Sequence, residues 1–189
     1  MSNLNYGKIK FKGGIKMTEN AKQFNVKGEY TDTIRYADGT VEVIKSHNLI
    51  VDGLYKIITS LLSAKGGYSG LQYWAVGSGN PSWDSELPNP QTSDTRLTQE
   101  IGRKKIQPSD FAWVNASGEV QSTPTNRLRV RVTFSNSECD GAWREFGLFG
   151  GNATSTANSG IMMNHKNHPV VNKTSGMEIE REIIFTFSN

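Results

Sequence analysis

Hydrophobic and polar residues alternate with period two through much of the second half of the chain. From Arg127 to Ser135, Leu128, Val130, Val132 and Phe134 fall on one side and Arg127, Arg129 and Arg131 on the other, the pattern of a strand with one buried face. Met177, Ile179, Ile183, Phe185 and Phe187 alternate in the same way with Glu178, Glu180 and Glu182. Between these two runs, Trp143–Gly151 and Ser159–His165 read as further strands bounded by Gly, Ser and Asn. If the first and last of these strands are antiparallel neighbours, their arginines and glutamates form a cross-strand ladder, each pair contributing roughly 0.2–1 kcal/mol. No aromatic residue interrupts the arginine stripe to stack a base, which favours the ladder over a phosphate-binding surface.

The first half mixes periods. Tyr30–Tyr36 and Thr40–Ile44 flank Asp38-Gly39 and predict a β-hairpin, because Asp-Gly supplies the positive φ of a tight reversal. Leu54, Ile57, Ile58, Leu61 and Leu62 fall on one helical face, so a principal helix is expected over residues 52–63, with Asp52 as N-cap and Gly66-Gly67 as its end. Strands are expected at Leu71–Val76, around 102–106 and at Phe111–Val114, with a helical turn at Arg96–Glu100. Residues 80–96, with Pro81, Pro88 and Pro90, lack periodicity, and a loop of that length inside a domain is characteristically functional or mobile. The expected fold is mainly β: an antiparallel β-sandwich-like domain with one principal α-helix.

Two residues break the alternation. Arg181 lies on the apolar face of the last strand, and Glu145 lies among aromatics between Trp143 and Phe149. A buried charge is costly unless paired. Either these two meet, or each meets a charge from a neighbouring subunit, or both sit at strand ends and reach solvent.

The chain has 189 residues and a net charge of +3. Lys8, Lys10, Lys12 and Lys16 lie in the first 16 residues, which hold no acid; the remaining 17 basic and 18 acidic residues leave the body at −1. The basic character therefore belongs to an N-terminal arm, residues 1–23, ahead of a single β-rich domain at 24–189. Lys12-Gly13-Gly14 is encodable by a purine-rich ribosome-binding element just upstream of Met17. Residues 1–16 are thus either leader ahead of a true start at Met17 or a disordered basic arm. One cysteine, Cys139, cannot form an internal disulfide and is expected to be an inert buried thiol. No apolar run of about 18 residues and no secretory signal stand in the sequence, so no membrane partner is expected and synthesis is expected in the cytoplasm.

The search for chemistry returns little. No nucleophile elbow, phosphate loop, H-E-x-x-H or C-x-x-C is present. His165 and His168 form H-x-x-H without the third and fourth ligands a zinc site needs. Asp84 and Glu86 are formally a carboxylate pair for glycoside hydrolysis, but carboxylates on a polar loop are ordinarily just solvated. Trp83 beside them suits a protein or sugar contact, so Trp83, Asp84 and Glu86 are the candidate interaction residues. Catalytic residues, metal and cofactors are expected to be none.

The order of segments carries a further signal. Asn48-Leu-Ile-Val-Asp-Gly-Leu54 precedes the helix, followed by Trp74-Ala-Val-Gly-Ser-Gly-Asn-Pro81 and Thr95-Arg-Leu-Thr-Gln-Glu100. Trp143-Arg-Glu-Phe-Gly-Leu-Phe149 comes next, then Gly160-Ile-Met-Met-Asn-His165, and then Lys173 before the last strand. Over residues 40–187 this resembles the small virion proteins and tail-fibre attachment domains of tailed bacteriophages and prophages. Their recurring pattern is a GxG turn, an L..E segment, an E-x-G-L-F strand and a final strand following a lysine. The resemblance implies a structural component of a tail, baseplate or fibre-attachment assembly, made in the bacterial host and located in the virion. Tail-fibre versions continue into shafts or receptor-binding tips, whereas this chain stops at Asn189, which favours a small free-standing component. Its partners would be other copies of itself and other tail proteins. The alternative is a receptor- or carbohydrate-binding module, with Trp83, Tyr68 and Tyr73 as a stacking platform and a host surface glycan as ligand. Nucleic acid is not an expected partner.

Overall fold

The computed structural model describes residues 24–188. The N-terminal arm at 1–23 and the start at Met17 lie outside the described residues. Ten strands and one helix follow in chain order: β1 (Asn25–Arg35), β2 (Val41–Ile50), α1 (Gly53–Ser63), β3 (Ser69–Gly77), β4 (Glu100–Lys105), β5 (Phe111–Val114), β6 (Val120–Gln121), β7 (Arg127–Phe134), β8 (Gly141–Gly151), β9 (Ile161–Lys173) and β10 (Glu178–Ser188). All strand pairs are antiparallel, and the strands form one open sheet in the order β4-β3-β8-β9-β2-β1-β10-β7-β5-β6.

The mainly antiparallel β class expected from the sequence holds, with one helix. The ladder does not divide into the two separate sheets of a sandwich, because β2 belongs to both halves. Its residues 41–48 pair with β1, whereas Leu49 and Ile50 pair with His165 and Asn164 of β9. The continuous sheet nevertheless brings distant strands face to face. Tyr30 of β1 meets Phe146 of β8 edge-on at 5.1 Å between ring centroids, and Phe134 of β7 meets Trp143 of β8 at 5.0 Å. These contacts form one apolar cluster that draws on β1, β7, β10, β3, β8 and α1.

The β1–β2 hairpin turns where expected. Gly39 takes φ +85°, and the Asp38 carboxylate accepts hydrogen bonds from the Thr40 backbone N–H and hydroxyl at 2.9 and 2.7 Å. The β7 and β10 strands are antiparallel neighbours, and the charged ladder forms: Arg131 binds Glu182, with Glu180 at 3.7 Å, and Arg129 lies 3.7 Å from Glu182. At its ends the ladder runs into β1, since Arg127 pairs with Glu29 and Glu178 with Arg35.

Three local expectations are corrected. Asp52 stands at the N-cap as expected, though its side chain makes no capping bond, but α1 ends at Ala64 in the left-handed region, before Gly66. Of the helical stripe, Leu54 and Ile57 are buried, while Leu61 and Leu62 are exposed at 53% and 83%, because α1 packs on β9 and β3 mainly through its first turns. Residues 96–99 form no helical turn; they bend into the start of β4 at Glu100.

Candidate functional site

The long segment between β3 and β4 is held down along its length. At its start, Asn80 caps a 3₁₀ turn over Pro81–Asp84 by accepting a bond from the Ser82 N–H at 3.0 Å. Trp83 is half-buried against Gly79, whose φ of +55° and contact with that indole leave no room for a Cβ. Asp84 receives two bonds from the Arg144 guanidinium, both 2.7 Å, which hold its carboxyl below the usual carboxylate range. Further along, Asn167 donates to the Pro88 carbonyl at 2.9 Å, and Thr92 accepts from the Asp52 N–H at 2.9 Å. Glu86 is exposed. Of the three candidate interaction residues, Asp84 thus has an internal partner, Trp83 is half-covered, and Glu86 faces solvent.

Glu145 is the centre of this strap. Fully buried on β8, it accepts the backbone N–H groups of Gly79 at 3.2 Å, Gln99 at 2.8 Å and Thr98 at 3.0 Å. His165 of β9 approaches it at 3.2 Å through Nε2 and approaches Asp94 of the loop at 2.7 Å through Nδ1. An imidazole facing a carboxylate on each nitrogen donates from both, so it carries both protons. Burial opposes charging of His165, but its bonds to Glu145 and Asp94 outweigh that and hold its pKa above the ordinary value. Burial likewise opposes ionisation of Glu145, yet His165 and the Gln99 and Thr98 N–H groups keep its pKa low.

Three of the segments that carry the sequence resemblance meet here. Glu145 of the E-x-G-L-F strand binds the GxG turn at Gly79 and the L..E segment at Thr98 and Gln99. Leu97 is fully buried, and Glu100 pairs with Arg103, which lies over the Phe149 ring at 4.7 Å. The pattern lysine, Lys173, is buried and donates to the Ser135 carbonyl and the Asp140 carboxylate, both at 3.0 Å. Each motif residue is a fastening within the fold.

Arg181 does not meet Glu145. It is fully buried and forms a bidentate pair with Asp32 of β1 at 2.8 and 2.7 Å, while its guanidinium lies 4.5 Å from the Phe146 centroid. Its Nη2 also donates to His168 Nε2 at 3.1 Å, and His168 Nδ1–H donates to the Pro169 carbonyl at 2.7 Å. Burial, aided by the Arg181 charge, pushes the His168 pKa down to about 3. The sequence expectation of a Glu145–Arg181 pair is therefore corrected, because each charge finds its partner on other elements of the same chain. Neither sits at a strand end reaching solvent. Asp32 shares strand parity with Tyr30 and Ile34 on the buried side of β1, a period-two signal that marks it as Arg181's partner. Nothing local in the sequence marks Asp94 or Arg144.

His165 and His168 have disjoint partner sets, so H-x-x-H does not converge on a ligand. Among the described residues, no group of three or more His, Cys, Asp or Glu is arranged to hold a metal ion. Cys139 is half-buried, and burial pushes its thiol pKa up. Tyr73 is half-buried beneath Arg103 at 5.4 Å, which removes its face from a stacking platform with Trp83 and Tyr68. Trp113 of β5, an aromatic not singled out from the sequence, is 40% exposed. It borders a groove with Pro108, Phe111 and Val120, and Val120 itself is 61% exposed. No described helix is long and apolar enough to cross a membrane.

Comparisons with protein-family models, with curated proteins and with solved structures return no match for this chain.

Proposed function

We propose that the protein is a structural component of a phage tail, baseplate or fibre-attachment assembly, acting by protein–protein docking in multiple copies. The observation that supports this reading best is the open sheet. Among the described residues it ends in β4 on one side and β6 on the other, and it leaves part of β2 without a second neighbour. Unpaired strand edges are templates for another chain, and free monomers ordinarily blunt them. Exposed apolar side chains accompany these edges: Val41 and Val43 on β2, and Trp113 and Val120 at the β5–β6 end. The buried ion pairs, by contrast, are consumed in holding the loop and layers together, as a rigid building block requires. The sequence resemblance points to the same role.

Trp113 supports a second reading, a carbohydrate-binding module of a virion, because an open indole beside an apolar groove suits a sugar face. Light scattering across a range of protein concentrations, paired with a glycan array, separates the two. The structural role expects a defined multimer and no glycan signal. A strict monomer that binds a glycan, and loses it in Trp113→Ala, would overturn the structural role in favour of the binding module.

A further inference from the structure

Two strand edges are open among the described residues, and one exposed charge on each, Glu42 on β2 and Lys105 on β4, has no opposite partner there. Residues 41–47 of β2 bond to β1 on one side, and on the other they have no ladder partner among the described residues: β9 pairs with β2 in the ladder only at Leu49 and Ile50, and otherwise reaches it through Lys166, which donates to the Ser46 hydroxyl at 3.2 Å. The gap between β2 and β9 opens into a cavity of about 400 Å³ lined by Tyr30, Asp32, Ile44, His168 and Val171. Glu42 also lines it. Its exposed carboxylate accepts the Tyr36 hydroxyl at 2.7 Å and has no cation partner among the described residues. The other edge is β4, which among the described residues pairs with β3 alone. Because β3 and β8 lie between β4 and β9, this edge is on the opposite side of that half of the sheet. A basic groove of about 440 Å³ runs beside it, lined by Lys104, Lys105, Arg129 and Arg131. Glu138, Glu180 and Glu182 pair with three of these, and exposed Lys105 has no carboxylate partner among the described residues.

We propose that β4 of one copy adds to the free edge of β2 in the next copy, with Lys105 meeting Glu42 and the added strand closing the mouth of the cavity. The six residues of β4 fit within the seven of that edge. Main-chain bonds along the strand would supply the adhesion, and the charge pair would set direction and register. The occupant is a second copy because the chain itself supplies both an open edge with an unpaired carboxylate, β2 with Glu42, and an open edge with an unpaired ammonium, β4 with Lys105. The contact is head-to-tail, so it closes into a ring or runs on as a filament. This inference rests on the assembly reading and names the interface within it.

The test uses the full chain and follows its mass against concentration for wild type, Glu42→Lys, Lys105→Glu and the double reversal. Each single change is expected to weaken association about tenfold or more, and the double to restore it. Both sites are exposed, and melting temperatures close to wild type establish that the variants fold. Single variants that associate like wild type, a double reversal no better than the singles, or association lost only on removing residues 1–16 would each overturn the interface. A wild type that stays monomeric would do the same. The virion reading is judged separately: glycan capture by that monomer would count against it, and docking onto another tail protein would sustain it.

Discussion

His165 and His168 stand three residues apart on β9 and hold opposite protonation states, which gives the fold a predictable pH dependence. His165 keeps its proton between Glu145 and Asp94, so its folded pKa is raised. Its contribution is complete below the ordinary value of 6.5 and is lost as pH rises through the folded pKa. His168 accepts from Arg181 and stays neutral, with a pKa of about 3. Below pH 6.5 the unfolded chain protonates this histidine while the folded one does not, so stability falls with acid by about 1.4 kcal/mol per pH unit. Glu145, with its lowered pKa, adds a further loss at still lower pH. Urea unfolding from pH 4.5 to 9 is expected to show a maximum near 6.5. His168→Gln, which retains an acceptor for Arg181, should flatten the acid limb, and His165→Gln the alkaline one. A limb that survives its substitution would reject that assignment.

At the scale of elements, the β7–β10 ladder is tested by charge exchange. Reversing Arg129 and Arg131 to Glu places a like charge directly opposite Glu182 and others diagonally beside Glu180 and Glu182, and should destabilise by roughly 0.2–1 kcal/mol per pair. Reversing Glu180 and Glu182 to Arg in the same chain should recover most of that, measured by thermal or urea midpoint; equal loss in single and joint variants would contradict the pairing. This ladder was legible in the sequence because each strand alternates an apolar face, broken only by Arg181, with a charged stretch, so period two gives both the buried side and the partner charges. The hairpin was legible because Asp38-Gly39 is local chemistry. The helix was overread, since a stripe of five apolar residues says which face is apolar but not how much of it a sheet will cover. The 80–96 segment could not be read at all. Its order comes from Arg144, Glu145, His165 and Asn167, at least 46 residues away in sequence at each side-chain bond to the loop backbone. Proline-rich and aperiodic, it looks like a mobile loop because its partners are remote.

Across the whole molecule, the two halves of the sheet are joined in the ladder by only two residue pairs, Leu49–His165 and Ile50–Asn164. On that count alone they would be separate folding units. The packing argues otherwise. Arg181 and Asp32 belong to one half, and they meet His168 and the Phe146 ring of the other. Tyr30 and Phe134 cross to Phe146 and Trp143, and most of the apolar core is a single cluster shared by both halves. Removing either half would leave the other with a buried ion pair short of its hydrogen-bond partners and an uncovered aromatic face, both expensive. Unfolding is therefore expected to be a single cooperative transition. Far-ultraviolet circular dichroism reports the strands of both halves, whereas near-ultraviolet dichroism is weighted towards Trp74 and Trp143, buried on β3 and β8. The two signals should have coincident midpoints. Leu128→Ala on β7 and Leu71→Ala on β3 should shift both together, since both residues pack against that cluster. Separate transitions, with β7 responding apart from β3, would mean that the two pairs on β2 are a hinge and that assembly, not the monomer core, fixes one half against the other.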